Sequence, residues 1–429
     1  MKKVIVVGGG LSGLSTAVFL ANKGIKSHLI EASPKLGGRT YSFNENDFQT
    51  EIDNGQHILM GCYKYTFDYL KTIEAFDRVE FQKNLNVNFV NQKGEINKLS
   101  GDKLFYPFNL LIGILRYKAL SVKERISILN FFLKILITKP NIYRNCTTLE
   151  LLKKFNQTEN SIKSFWEIIH VGTLNTELKL SSAELFIKIL KIIFFTGNQS
   201  AKIVLPKLGL SKVFIEKAVS YLERNGTVIS LSERVTDFEI NEGIIKKVVT
   251  NKREIVNFDK VVLSVPQFAL NKFDSITESL NIDFELKYSP ILSVHIWLNE
   301  NPFNEKFYGL IDSDIHWIFN HNKHVTLVTS SAERFMNQSE DEISEKFIKE
   351  LETRFSDFNK NKIIGLKIIK EKRATFIPSV ETEEKRLNLK RMFGNLIISG
   401  DWTNTELPST IEGAIKSGFL AASEIKEEY

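Results

Sequence analysis

Residues 1–40 constrain the fold more than any other stretch of this chain. The apolar run Val4-Ile5-Val6-Val7 leads into Gly8-Gly9-Gly10-Leu11-Ser12-Gly13-Leu14. Ala17, Val18, Leu20 and Ala21 then recur at helical spacing up to Gly24, and a second strand-like run over 26–30 ends at Glu31. Strand, glycine turn, helix and strand in that order make a nucleotide-binding unit, with Gly8, Gly10 and Gly13 at the three fingerprint positions. Gly8 permits the tight turn, Gly10 lets a pyrophosphate approach the backbone, and Gly13 lets the helix pack closely on the sheet. Backbone N–H groups at the helix start, around Leu11 and Ser12, then face the phosphates. Glu31 lies 18 residues past Gly13, where a carboxylate accepts both ribose hydroxyls. An acid there disfavours a 2′-phosphate, so the site is not expected to take NADP.

The next residues choose between dinucleotides. After Glu31 and Ala32 the chain reads Ser33-Pro34-Lys35-Leu36-Gly37-Gly38-Arg39-Thr40. Gly37 and Gly38 suggest a backbone passing close under a ligand, and Arg39 a cation near its phosphates. The combination GGGLSGL, then EA, then LGGR resembles the two-dinucleotide-binding flavoproteins of the amine oxidase and phytoene desaturase superfamily. That resemblance implies FAD. It also implies a strand returning beside the adenine at Val235.

The C-terminus supplies a further cofactor element. Residues 395–399 read as a strand, followed by Gly400-Asp401-Trp402 and by a helix over 411–425. Asp401 is placed to hold a ribityl hydroxyl, and the helix start at Thr410 and Ile411 to stabilise negative charge on the flavin. Several amine oxidases anchor FAD through a cysteine near this motif. Position 401 here is Asp, and Cys62 and Cys146 lie far from it in sequence, so noncovalent FAD is expected.

With 429 residues the chain is long enough for two domains. The expected fold is α/β: a Rossmann-like FAD domain over 1–60, 203–266 and 391–429. An α+β substrate domain over 61–202 and 267–390, an antiparallel sheet with helices, is interleaved with it. Two cysteines give neither a metal spacing nor a disulfide framework, which fits a reducing cytoplasm. A net charge of +6, spread along the chain, does not point to nucleic acid. No uncharged run reaches the ~18 residues a spanning helix needs.

Residues 104–138 are the most apolar part. Leu104 to Leu115 carries no charge, Arg116, Lys118, Lys123 and Arg125 follow, and 126–137 is nearly all apolar. Apolar residues flanked by cations read either as an interfacial, membrane-facing segment or as a buried helix pair. Residues 147–196 read as all-helical, with Thr147 or Thr148 as one cap and Ser181-Ser182-Ala183-Glu184 resembling a capping box before 185–195. Strands are expected at 228–229, 244–249, 254–258, 259–266, 288–298, 317–319 and 325–328, and an amphipathic helix over 339–355.

The stretch Asp53-Asn54-Gly55-Gln56-His57-Ile58-Leu59-Met60 reads on pattern as a turn into a helix. Together with the next three residues it closely resembles the squalene-associated FAD-dependent desaturase-like family of hydroxysqualene dehydroxylases. Residues 166–186, 205–211 and the ending GDWTNTELPSTIEGAIKSG are similar to the same family. The resemblance implies reductive removal of an allylic hydroxyl from hydroxysqualene, giving squalene for hopanoid synthesis. It implies an apolar isoprenoid substrate in a long tunnel and an electron donor such as NAD(P)H or a reductase. A cytoplasmic protein, peripheral on the inner face of the cell membrane, would suit such a substrate. His57 is the candidate acid near the hydroxyl, supported by Asp53 or Gln56, or else a structural group under the flavin; His170 and His295 are lesser candidates. The rival readings are a carotenoid or phytoene-type desaturase, a flavin amine oxidase, and a prenyl-lipid carrier without redox chemistry.

Overall fold

The computed structural model describes residues 3–101, 104, 106–273, 276–277, 285–389 and 391–425. A six-stranded sheet gathers segments from both ends and the middle of the chain. The strand Val4–Val7 pairs in parallel with Ser27–Ile30 on one side and with Lys260–Leu263 on the other. Val228–Ser230 and Leu396–Ile398 extend it in parallel, and Met392–Phe393 closes one edge antiparallel.

Both faces of this sheet are covered, which is why its central strands are apolar throughout. Val6, Leu29, Val262 and Ile397 face the helices Leu11–Asn22 and Ile411–Glu424. Ile5, Ile30, Val261 and Ile398 face a small antiparallel layer containing Val235–Asn241 and Ile244–Thr250. The two helices cross closely because of one glycine. A Cβ on Gly418 would lie 2.2 Å from Ser15 Oγ and 2.5 Å from the Ser12 carbonyl oxygen. Burying apolar surface at ~25 cal/mol per Å² is what holds these layers against chain entropy.

A second, seven-stranded sheet runs in the order Ile363–Phe376, Tyr288–Leu298, His324–Ser330, Trp317–Asn320, Phe307–Leu310, Asn86–Val90, Ile96–Ser100. It is antiparallel except where Phe307–Leu310 meets Asn86–Val90. Leu292, Val294 and Ile296 pack on one face against Ile343, Phe347 and Leu351 of the helix Glu340–Arg354. Phe307, Phe319 and Val328 on the other face join a helical layer drawn from residues 108–195.

The expected helices of that layer form. Thr147 caps Thr148–Lys154 in a reciprocal bond pair with Glu150, and Ser182 caps Ala183–Phe195 by accepting from the Leu185 N–H. The 104–138 stretch yields the helices Phe108–Leu115 and Val122–Ile137; Phe105 lies outside the described residues. The 53–60 stretch does not enter a helix directly: it bends at Asn54 and Gly55 and continues into the short strand Leu59–Met60. That strand pairs with Ile203–Pro206, and only then does the helix Lys64–Thr72 begin. Among the described residues no helix is long and apolar enough to cross a membrane, and Cys62 and Cys146 are both free thiols.

Candidate active site

The glycine turn folds as its spacing requires. Gly8 has φ +102°, and a Cβ there would lie 2.5 Å from the Ser264 carbonyl oxygen. A Cβ on Gly13 would sit 1.9 Å from the Gly8 carbonyl oxygen, so the helix rests directly on the turn. Gly10 differs: its Cβ would meet nothing nearer than Gly38 Cα, at 4.0 Å. The space beside Gly10 is therefore an open cradle, not a packing contact. Gly10 precedes the first turn of Leu11–Asn22, and no side chain caps that helix. Its first N–H groups and the positive end of its dipole suit a phosphate.

Gly37 and Gly38 form the other wall. Gly37 N–H donates to the Gly9 carbonyl at 2.8 Å, and Gly37 and Gly38 have φ of +109° and +59°. The Glu31 carboxylate sits beside them, accepting from Gly9 N–H at 2.6 Å and from Ser33 N–H at 2.7 Å. Ala32 continues from Glu31 and is exposed. Val235 is buried near by, because Glu233 N–H donates to the Glu31 carbonyl just before the strand Val235–Asn241 starts. These residues fit the adenosine and pyrophosphate of a dinucleotide.

Two side chains are placed otherwise than the sequence suggests. The Ser12 hydroxyl turns inward to Ser399 Oγ at 2.6 Å and Ser417 Oγ at 2.8 Å, so only its backbone is left for a phosphate. Arg39 reaches the other end of the chain. Its Nη2 lies 2.7 Å from Asp401 Oδ2, and its Nη1 donates to the Ala374 carbonyl at 2.7 Å and to Ser409 Oγ at 3.3 Å. Ser409 also donates to Asp401. Burial alone would raise the Asp401 carboxyl, but the Arg39 charge and the Ser409 hydroxyl outweigh it and hold it below the ordinary range. The Arg39–Asp401 pair thus ties the Gly37–Gly38 turn to the C-terminal loop.

That loop is itself tightly held. Gly400 lies against the Trp402 indole, where a Cβ would come within 2.5 Å of Nε1. Arg386, 1% exposed, donates to the carbonyls of Asp401, Trp402, Thr403 and Leu407. Thr410 caps Ile411–Glu424 by accepting from Gly413 N–H at 3.1 Å, and Ile411 is buried. Glu412 crosses to the next helix, accepting from the Tyr65 and Thr66 N–H groups at 3.0 and 2.8 Å.

Asp53, Gln56 and His57 do not form one cluster. Asp53 Oδ1 accepts from Ser42 Oγ at 2.6 Å and from Leu210 N–H at 2.9 Å, away from the imidazole. Burial pushes its carboxyl up to about 6 against these two hydrogen bonds, with Glu51 adding to the rise. Gln56 lies part-exposed in the bend. His57 Nδ1 is 2.6 Å from the Gly55 carbonyl oxygen. A carbonyl only accepts, so Nδ1 carries the proton and neutral Nε2 is a bare acceptor. Burial lowers the His57 pKa, the Gly55 carbonyl opposes this, and the Arg39 charge lowers it further. The ring is therefore neutral at pH 7.

Residues that pattern did not single out complete the site. Asn54 Nδ2 donates to Glu371 Oε2 at 3.0 Å and to the Arg39 carbonyl at 3.4 Å. Tyr288 lies within the field of Asp401 and Arg39; burial and then the Asp401 charge push its phenol up to about 12. Tyr288 opened an expected strand, but nothing local marks its role. Glu371 falls in Ile363–Phe376, whose run of Lys and Glu hides a strand. His170 and His295 are core groups instead: both are buried, bonded to Ser181 and Thr326, and held neutral with pKa values of about 3 by burial.

The chain is 26% identical to a hydroxysqualene dehydroxylase from Zymomonas mobilis, over 97% of each chain. It is 24% identical to one from Sinorhizobium fredii, over 98% of this chain and 97% of the relative. A 15-cis-phytoene desaturase from an Oncidium hybrid cultivar matches at 23% identity over all of this chain and 78% of its own. Among solved structures, an oxidoreductase from Methanosarcina mazei superposes with TM-score 0.75 at 17% identity, covering 99% of this chain and 100% of that one. Putrescine oxidase superposes with TM-score 0.73 at 14% identity, covering 99% and 98%. The chain is an FAD-dependent oxidoreductase: residues 11–426 match the flavin containing amine oxidoreductase family, and the protein belongs to it.

Proposed function

We propose that this enzyme reductively removes the hydroxyl of hydroxysqualene, giving squalene, with FAD held noncovalently. The reading divides the chain into the cofactor segments 1–60, 203–266 and 391–429 and the substrate segments 61–202 and 267–390. Electrons come from NAD(P)H or a partner reductase, and the substrate is taken up at the inner face of the cell membrane. Bound reduced flavin supplies the hydride. The sum balances as alcohol plus reduced flavin giving hydrocarbon, water and oxidised flavin.

The observation that carries the reading is the His57 tautomer, on a chain similar end to end to hydroxysqualene dehydroxylases. A bare Nε2 accepts a hydrogen bond from a substrate hydroxyl, which a hydrocarbon cannot give. His57 thereby positions the C–O bond. Loss of the hydroxyl leaves an allylic cation, and the oxygen must gain a proton to depart as water. Neutral Nε2 has no proton to give, so His57 would first take one up from solvent and then pass it from Nε2 to the departing oxygen, which leaves as water. Arg39 and the buried Asp401, being paired, add no net charge that would repel the cation. Water exclusion protects the cation until hydride arrives.

The test is anaerobic incubation of dithionite-reduced enzyme with hydroxysqualene and, separately, oxidised enzyme with phytoene, followed by product analysis. Squalene from the first alone supports the reading. A more unsaturated product from the second alone replaces it with a desaturase.

A further inference from the structure

The helix Val122–Ile137 carries apolar residues on two opposite faces. Ile128, Phe131, Phe132 and Ile135 are 0 to 7% exposed and belong to the core beneath it. Val122, Ile126, Leu133, Leu136 and Ile137 are 64, 49, 60, 46 and 85% exposed. At 3.6 residues per turn these five fall within an arc of about 100° opposite the buried four. Neighbouring elements also carry exposed apolar side chains: Ile142 is 67% exposed in the turn after the helix, and Phe108 is 49% exposed on the helix before it.

The charges of the stretch that carries this face are nearly all positive. Between residues 104 and 139 stand Arg116, Lys118, Lys123, Arg125, Lys134 and Lys139 against the single acid Glu124. Glu124 is engaged in the helix cap with Ser121 and accepts from Thr158 and Asn160. Lys118, Lys123, Lys134 and Lys139 are exposed. A symmetric pairing with a second copy would set this cationic rim against itself. An anionic lipid surface meets both features, taking the apolar stripe among its acyl chains and the lysines at its headgroups. The helix has 16 residues, about 24 Å at 1.5 Å per residue. That is shorter than the ~30 Å hydrocarbon core, so it lies along the surface.

We infer that the outer face of Val122–Ile137 is a monotopic docking surface for anionic lipid, with Ile126, Leu133 and Ile137 inserted and Lys123 and Lys134 at the headgroups. This deepens the membrane element of the proposed function, and its test uses no substrate, so failure of the dehydroxylation reading leaves it standing.

The experiment is flotation of the FAD-loaded full chain with vesicles of phosphatidylcholine alone or mixed with phosphatidylglycerol, at low and high salt. Wild-type protein is expected to float with the anionic vesicles and to be partly released by salt. Ile126→Ser/Leu133→Ser/Ile137→Ser removes only exposed side chains and should keep its flavin spectrum and melting temperature. Its vesicle affinity should fall about tenfold or more. Leu133→Trp should show a blue-shifted emission on anionic vesicles that brominated lipid quenches. Wild-type protein that ignores anionic vesicles at low salt overturns the inference, as does a triple variant that floats equally well. A wild-type dimer that the triple variant dissociates, without vesicle binding, overturns it in favour of a self-interface.

Discussion

Gly10→Ala and Gly13→Ala separate a glycine kept for a ligand from one kept for packing. Gly10 has φ −69° and ψ 176°, which alanine adopts freely, and its Cβ would stand clear of every atom by 4.0 Å. The apoprotein should lose no more than about 1 kcal/mol, the usual penalty for alanine at a helix N-cap. The added methyl would occupy the space a pyrophosphate needs, so FAD affinity should drop at least about tenfold, or ~1.4 kcal/mol. Gly13→Ala forces a Cβ to 1.9 Å from the Gly8 carbonyl oxygen, a backbone atom that cannot move aside. That variant should lose ~1–3 kcal/mol or more without any cofactor present. Thermal unfolding of stripped and FAD-loaded protein reads both effects. At one hundred times its Kd a ligand stabilises by about 2.7 kcal/mol, and tenfold weaker binding reduces this to about half. A Gly10→Ala protein with the full FAD increment, or a Gly13→Ala apoprotein as stable as wild type, would refute the assignment.

Three further outcomes follow from the site. Glu31→Gln should weaken FAD by ~1.5–3 kcal/mol, the worth of hydrogen bonds to a charged group; titration calorimetry with apoprotein measures it, and unchanged affinity would place the ribose elsewhere. Asp53, raised to about 6 when folded against 3.8 as a free side chain, costs stability once ionised. Its contribution is therefore favourable below about pH 4 and lost as pH rises through about 6, so Asp53→Asn should be more stable than wild type by ~1–3 kcal/mol at pH 8. The two proteins should converge near pH 4, and parallel stability curves across that range would show the carboxyl is not strained. Arg386→Met should loosen the 401–407 loop, seen as a shifted flavin absorption band and lower FAD occupancy; an unchanged spectrum in a folded variant would show that the loop holds itself.

Local physics decided what the sequence made legible. The glycine turn and the helix cap at Thr147 each depend on a few adjacent residues, and each formed where its pattern stood, whereas the cap of Ala183–Phe195 is Ser182, one residue past the start of the expected box. The strand Ile363–Phe376 escaped because it is a sheet edge whose residues are mostly half-exposed on both faces, leaving no apolar alternation. Asn86–Val90 joins the sheet by pairing with Phe307–Leu310, more than 200 residues away, and Ile96–Ser100 joins it only through Asn86–Val90. The same distance hid the Arg39–Asp401 pair, whose partners are 362 residues apart. Asp53 next to His57 in sequence invited a catalytic pair, but the strand Thr50–Asp53 directs its carboxylate to Ser42 and Leu210. Glu371 and Tyr288 join the site through sheet register, which one-dimensional spacing does not encode.

Reoxidation of prereduced enzyme by hydroxysqualene in a single anaerobic turnover tests the central claim most directly. Flavin absorbance should return in step with formation of squalene. In His57→Ala the rate should fall 10²–10⁴-fold while FAD remains bound. A wild-type enzyme that stays reduced in the presence of hydroxysqualene would contradict the account.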